Sequence, residues 1–174
     1  MNQASSPVFF PVSIRKFVVM STVTLGFYQI FWLYKNWKLI KLKEGSKIMP
    51  IWRAIFGIFF IYPLIEKIKK SANSSNVSTN YNSTLIVMIW IIVRILSRFS
   101  SEFLPLLIDI LVDFMFALVL IPVQKAANNL NLAIAPRHDR NDRFSGWNIA
   151  AIVVWVFYFS SAVNEIALPL IWGK

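Results

Sequence analysis

The sequence predicts an all-α membrane protein: a single domain built as a helical bundle of about four transmembrane helices plus a re-entrant or interfacial helix. Three observations predict it. Of 174 residues, 57% are hydrophobic and only 15% are charged, whereas soluble domains run nearer half and a quarter. The polar residues gather in short clusters between long apolar runs, which leaves no polar skin for a soluble fold. Eighteen Lys and Arg oppose eight Asp and Glu, a formal charge of +10. In a chain of mean hydropathy +0.59, that excess points to anionic lipid and to orientation in a membrane.

Segment 17–34 is uncharged and of minimum length for a span, but Ser21, Thr22, Thr24 and Gly26 cluster at its middle, where a helix breaks most easily. It is expected to be a kinked span or a bent hairpin. Over 35–45, Lys35, Lys38 and Lys41 recur at i, i+3, i+6 with Leu33, Trp37 and Ile40 on another side, the pattern of a basic amphipathic helix. Segment 51–65 is short and carries Arg53, Gly57 and Pro63. It reads as re-entrant or interfacial.

A Ser/Asn-rich loop is expected over 71–84, followed by a transmembrane helix over 84–97. That helix pairs as a hairpin with a second one over 103–123. Beyond Pro122 a separate polar-faced helix is expected, with Val123, Ala126, Ala127 and Leu130 on one side and Gln124, Asn128 and Asn131 facing away. The final segment, 147–172, is the clearest span. Trp32, Trp37, Trp52, Trp147 and Trp172, joined by Tyr28, Tyr34 and Tyr62, fall near segment ends and read as an aromatic belt at the headgroups.

Orientation follows from the cations near segment ends. Lys and Arg number two before segment 17–34, six over 35–53, three over 67–70, two at Arg94 and Arg98, four over 125–143 and one at Lys174. Strict alternation through five spans divides them evenly. If 51–65 re-enters, the division becomes 13 against 5 with both termini outside. If 17–34 also folds back, it becomes 15 against 3 with a cytoplasmic N-terminus.

The stretch Thr24-Leu25-Gly26-Phe27-Tyr28, with Trp32 and Tyr34 after it, resembles the T-x-G-x-Y…W-x-Y signature of an uncharacterised family of small bacterial multi-spanning inner-membrane proteins. Phe10-Pro11-Val12-Ser13, Met49-Pro50-Ile51-Trp52-Arg53, Pro122-Val123-Gln124 with Asn128 and Asn131, and Arg143-Phe144-Ser145-Gly146-Trp147-Asn148 resemble the same family. The resemblance implies a multi-pass protein of the bacterial inner, or cytoplasmic, membrane. It implies no activity.

With no cysteine, disulfide, thiolate and zinc-knuckle chemistry are excluded. No phosphate-binding glycine loop, nucleophile elbow or H-E-x-x-H run occurs, so no catalytic residue, metal ligand or cofactor is assigned, and the chain is expected not to be an enzyme. His138, Asp139, Arg140, Asn141 and Asp142 read as a solvated loop, its acids offsetting Arg137, Arg140 and Arg143. The candidate intramembrane polar residues are Arg94, Asp109, Asp113 and Glu165, since a charge inside a bilayer costs several kcal/mol unless paired or hydrated. A hairpin of 84–97 on 103–123 sets Arg94 against Asp109 and Trp90 against Asp113. Lys35, Lys38, Lys41, Lys43 and Lys47 are the candidate headgroup-binding strip.

The expected function is that of a noncatalytic scaffold or accessory subunit whose partners are anionic lipid headgroups and a membrane protein or a second copy, with no nucleic acid. The rival is a small proton- or ion-coupled transporter or channel using Asp109 and Asp113.

Overall fold

The computed structural model describes residues 6–99 and 105–172, with side chains described at 6–93, 95 and 110–161. Every regular element among them is helical: α1 Ile14–Val23, α2 Phe27–Glu44, α3 Pro50–Ile55, α4 Gly57–Ser74, α5 Ser83–Phe99, α6 Pro105–Ile134 and α7 Gly146–Trp172. An extended strap, 7–13, precedes α1.

The first apolar segment is two helices. The chain breaks at Thr24-Leu25-Gly26, where Leu25 (φ 47°) and Gly26 (φ 82°) enter the left-handed region, which glycine tolerates at little cost. Thr24 holds the break together: its Oγ1 donates to the Met20 carbonyl at 2.7 Å and accepts from the Tyr28 N–H at 2.8 Å. The Gly26 N–H also reaches back to the Ser21 carbonyl at 3.1 Å. Backbone groups freed at a break need other partners, and these internal ones supply them.

α2 then runs without interruption past Tyr34. The basic helix expected over 35–45 is therefore the second half of an 18-residue helix, because Trp32, Leu33, Asn36, Trp37 and Ile40 form one continuous buried stripe. α1 packs against α2 in the reverse direction, with Phe17 against both Tyr28 and Trp32 (6.4 and 5.7 Å between centroids). At 10 residues, α1 is only about 15 Å long, half of a hydrocarbon core of about 30 Å.

The segment expected as one short helix over 51–65 is likewise split, at Phe56, and its second half continues to Ser74. Three contacts fix its course beside α2. The Arg53 guanidinium lies 4.3 Å from the Trp37 ring centroid, Gly57 lies against Leu33, and Phe60 returns to Trp37 at 6.4 Å. α3 thus descends along α2 as far as Leu33 and α4 climbs back, ending its climb at an ion pair between Lys67 and Glu44 (2.6 Å). Any side chain at position 57 meets Leu33, since an added Cβ would stand 2.7 Å from Leu33 Cδ1. The polar loop shortens to 75–82.

α5 and α6 pack together with Trp90 against Phe116 (5.4 Å), within one turn of the expected pairing with Asp113. α6 does not stop at Pro122: it is one helix of 30 residues. Proline in a helix costs about 3 kcal/mol, but Val123, Ala126, Ala127 and Leu130 are all buried just beyond it, and their packing outweighs the lost hydrogen bond. α7 packs on α1, while its Trp147, Val154 and Phe157 are 87%, 68% and 69% exposed.

The aromatic belt is corrected in part. Trp52, Trp147 and Tyr62 are exposed as expected, but Trp32, Trp37 and Tyr28 are core residues. Among the described residues one stretch, Ile110–Ile134, is long and apolar enough to cross a membrane by length and composition; Ser83–Val93 and Gly146–Ser161 are shorter apolar helices.

Candidate functional site: a cationic groove above a polar core

Five side-chain amides turn the strap from loose chain into part of the core. Asn131 accepts from the N–H groups of Val8 (2.9 Å) and Phe9 (3.2 Å) and donates to the Phe9 carbonyl (2.8 Å). Asn36 accepts from the Phe10 N–H at 3.0 Å and donates to the Trp32 carbonyl at 2.9 Å. Gln124 donates to the Phe10 carbonyl (3.2 Å) and to Asn128 Oδ1 (2.8 Å), and accepts from Trp32 Nε1 (2.6 Å). Asn128 donates to the Val12 carbonyl at 2.8 Å and Asn141 to the Pro11 carbonyl at 3.0 Å. An amide offers both a donor and an acceptor, so it can satisfy the irregular backbone of a strap that has neither helix nor sheet to join.

This overturns one expectation. Gln124, Asn128 and Asn131 do not face away: Gln124 and Asn131 are fully buried and Asn128 is half-buried. Their common face, at i, i+4 and i+7, is the one that receives the strap.

The strap, the first turns of α1, α2 and the loop 135–145 enclose an open groove of about 1260 Å³. Lys16, Lys35, Arg137, Arg140 and Arg143 line it, against Asp139 and Asp142. Lys16 is 4% exposed and donates to Asn141 Oδ1 and to the Arg143 carbonyl, both at 2.7 Å. Burial holds its pKa below the ordinary lysine value, with Asp139 and Asp142 pulling it back up. Lys35 sits over Phe10 and Phe31, 5.8 and 5.4 Å from the ring centroids, a cation–π arrangement.

The loop is more ordered than a solvated run of charges. Asn141 takes a left-handed conformation (φ 52°), its N–H donates to Asp139 Oδ1 at 2.8 Å, and its side chain joins Lys16 to the strap. Neither Asp139 nor Asp142 forms an ion pair within 4 Å among the described residues, so these acids offset the arginines by charge balance and not by contact. No group of three or more potential metal ligands gathers among the described residues.

The other candidates fall in different places. Lys38, Lys41, Lys43 and Lys47 are exposed along and beyond α2, and of the five lysines only Lys35 enters the groove. Asp113 is 3% exposed, and its backbone carbonyl receives Gln29 Nε2 at 3.5 Å, which sets it level with the α1–α2 break. The side chains of Arg94, Asp109 and Glu165 lie outside the described residues. Sequence reasoning missed Lys16, Asn36, Gln124 and Asn131 as site residues. The available signal was three amides at helical spacing in the buried half of an apolar helix.

Compared with known proteins, the chain matches no protein-family model, no curated protein and no solved structure.

Proposed function

We propose that this chain is a noncatalytic, multi-pass membrane protein of the bacterial inner membrane, a scaffold or accessory subunit that seats its basic end on anionic lipid. The observation that carries this reading is the division of α2. Phe27, Ile30 and Phe31 at its start are 74%, 41% and 42% exposed, whereas Lys38, Lys41 and Lys43 are exposed toward its end. A helix so divided is stable at a boundary between hydrocarbon and anionic headgroups.

The same division supports a topology of three crossings, α5, α6 and α7, with α1–α2 and α3–α4 as two re-entrant hairpins. α1–α2 turns back level with Asp113, while α6 extends eight residues, about 12 Å, farther toward Pro105. With both hairpins returning, the cations divide 15 against 3, and the basic end, N-terminus included, faces the cytoplasm. In this reading three crossings take the place of the expected four, since α1, at 10 residues, is about half as long as a hydrocarbon core is thick.

Two experiments test this. Single cysteines at Ser6, Lys43, Ser75 and His138 are expected to resist a membrane-impermeant thiol reagent in intact cells and to react after permeabilisation; labelling of Ser6 alone in intact cells would restore α1–α2 as a span. In flotation assays the protein is expected to prefer vesicles containing phosphatidylglycerol to vesicles of phosphatidylcholine. Lys38→Gln with Lys43→Gln is expected to weaken that preference, each lysine contributing on the order of 1 kcal/mol.

A further inference from the structure

Lys16 is a buried ammonium held by two neutral oxygens, Asn141 Oδ1 and the Arg143 carbonyl. No carboxylate stands within ion-pair distance of it among the described residues. Asp139 and Asp142 reach it only through longer-range attraction, and the Asp139 carboxylate is engaged by the Asn141 N–H. A buried charge is costly unless a counter-charge and hydrogen bonds complete its shell. Here the hydrogen bonds occupy two of the three ammonium donors, and among the described residues no carboxylate touches the ammonium.

The surroundings deepen the imbalance. Five cations line the groove against two carboxylates, and cations on one concave wall repel one another across the space between them. An anion with several acceptor oxygens relieves that repulsion and can engage an ammonium and more than one guanidinium together; a phosphate group meets this requirement better than a carboxylate. Phe31 on the groove wall is itself exposed, and within the preceding turn of α2 Ile30 and Phe27 are exposed as well.

We propose that this groove binds one phosphate group, that of an anionic phospholipid whose acyl chains lie along Phe27, Ile30 and Phe31, with Lys16 as the central ligand and Lys35, Arg140 and Arg143 completing its shell. The proposal rests on the lipid-facing reading of the basic end and adds to it a single stoichiometric site.

The test uses the full chain in phosphatidylcholine nanodiscs, with three probes: phosphatidylglycerol doped into the disc, and glycerol 1-phosphate or inorganic phosphate added to undoped discs. Bound lipid is counted by native mass spectrometry and soluble anion by calorimetry. Arg140→Gln with Arg143→Gln removes two groove cations whose side chains are exposed, and the Arg143 carbonyl that holds Lys16 is kept. Lys38→Gln with Lys43→Gln removes the same charge outside the groove.

One phosphatidylglycerol per chain is expected to survive dilution in the wild type and in the Lys38/Lys43 variant. Its affinity is expected to fall about tenfold or more in the groove variant, the scale of a lost charge-assisted bond. Saturable binding of the soluble phosphates with the same variant dependence, without lipid retention, would uphold the phosphate site and assign it to a free phosphate ester. Equal weakening by both double variants would overturn the site and leave the basic end as a diffuse lipid surface. Loss of all vesicle preference in flotation, with soluble phosphate still bound, would overturn the lipid reading and leave the site.

Discussion

Replacing Asn131 by Leu tests whether the amides hold the strap. The substitution keeps the number and branching of side-chain heavy atoms and removes three hydrogen bonds, to the Val8 and Phe9 N–H groups and the Phe9 carbonyl. Val8, Phe9 and Asn131 are buried, so two donors and one acceptor would be stranded away from water. At about 1–3 kcal/mol for each stranded group the loss is on the order of 3–9 kcal/mol, as large as the whole stability of many domains. The chain has a cheaper response, which is to release the strap and let those groups find solvent. Asn128→Leu serves as the graded comparison, since Asn128 gives the strap a single bond, to the Val12 carbonyl, from a half-buried position. Hydrogen exchange in detergent is expected to show strong loss of protection at Val8, Phe9 and Phe10 in Asn131→Leu and a smaller loss in Asn128→Leu. Helix content should be nearly unchanged in both. Retained strap protection in Asn131→Leu would refute the claim that the amides, rather than burial of Phe9 and Val12, hold the strap in place.

Three further predictions concern other parts of the molecule. Gly57→Leu is expected to push α4 away from α2, because even a Cβ there meets Leu33 at 2.7 Å; overpacking costs about 1–3 kcal/mol, read as a lower thermal midpoint in detergent, and an unchanged midpoint would deny the close approach. Asp113→Asn is expected to be tolerated by a scaffold in yield and helix content, and a wild-type proton flux in proteoliposomes that vanishes in this variant would overturn the proposed function. The lowered pKa of Lys16 makes the folded chain lose its Lys16 proton before the unfolded chain does. Stability is then expected to rise as pH climbs through that lowered value toward the ordinary 10.5, while phosphate affinity falls over the same window. Asp139→Asn with Asp142→Asn should extend the window to lower pH at its lower edge, since those carboxylates oppose the shift in the folded chain.

The helical class was legible because apolar runs and their polar punctuation are one-dimensional signals. So was the weak point of the first segment, since Ser21, Thr22, Thr24 and Gly26 mark where the chain breaks. The boundaries were less legible wherever tertiary packing overrode a local cue. Pro122 reads as a stop, yet buried residues on both sides of it, Leu120 at 1% and Val123 at 0% exposed, carry the helix through. Phe56 reads as continuous apolar helix, yet Gly57 against Leu33 lets α3 end and α4 begin there. Tryptophan was misread for a related reason: Trp32 and Trp37 sit at segment ends in sequence, but the break at Gly26 moved those ends, and α2 buried both rings in its middle.

The candidate site was legible only in fragments, because its parts are matched across more than a hundred residues of chain. Lys35 could be read from helical spacing. Lys16 could not, because what makes it unusual is the loop at Asn141 folding over it. The amides were visible but were given the wrong face, by the rule that polar residues on an amphipathic helix point outward. That rule assumes that the helix packs only against other helices, whose backbones satisfy themselves. A strap with two prolines, Pro7 and Pro11, forms no helix, so its carbonyls and N–H groups must be met by side chains if it is to be buried. Gln124, Asn128 and Asn131 on one face of α6, with Asn36 opposite, meet that need, and other groups converge on the same place. Phe10 to Val12 belong to the strap, Gln124 and Asn131 are its partners, Trp32 donates to Gln124, and Arg143 supplies the carbonyl that holds Lys16. The pattern ties these residues to one structural task, burying irregular backbone beneath a cationic groove, and that task requires amides facing inward.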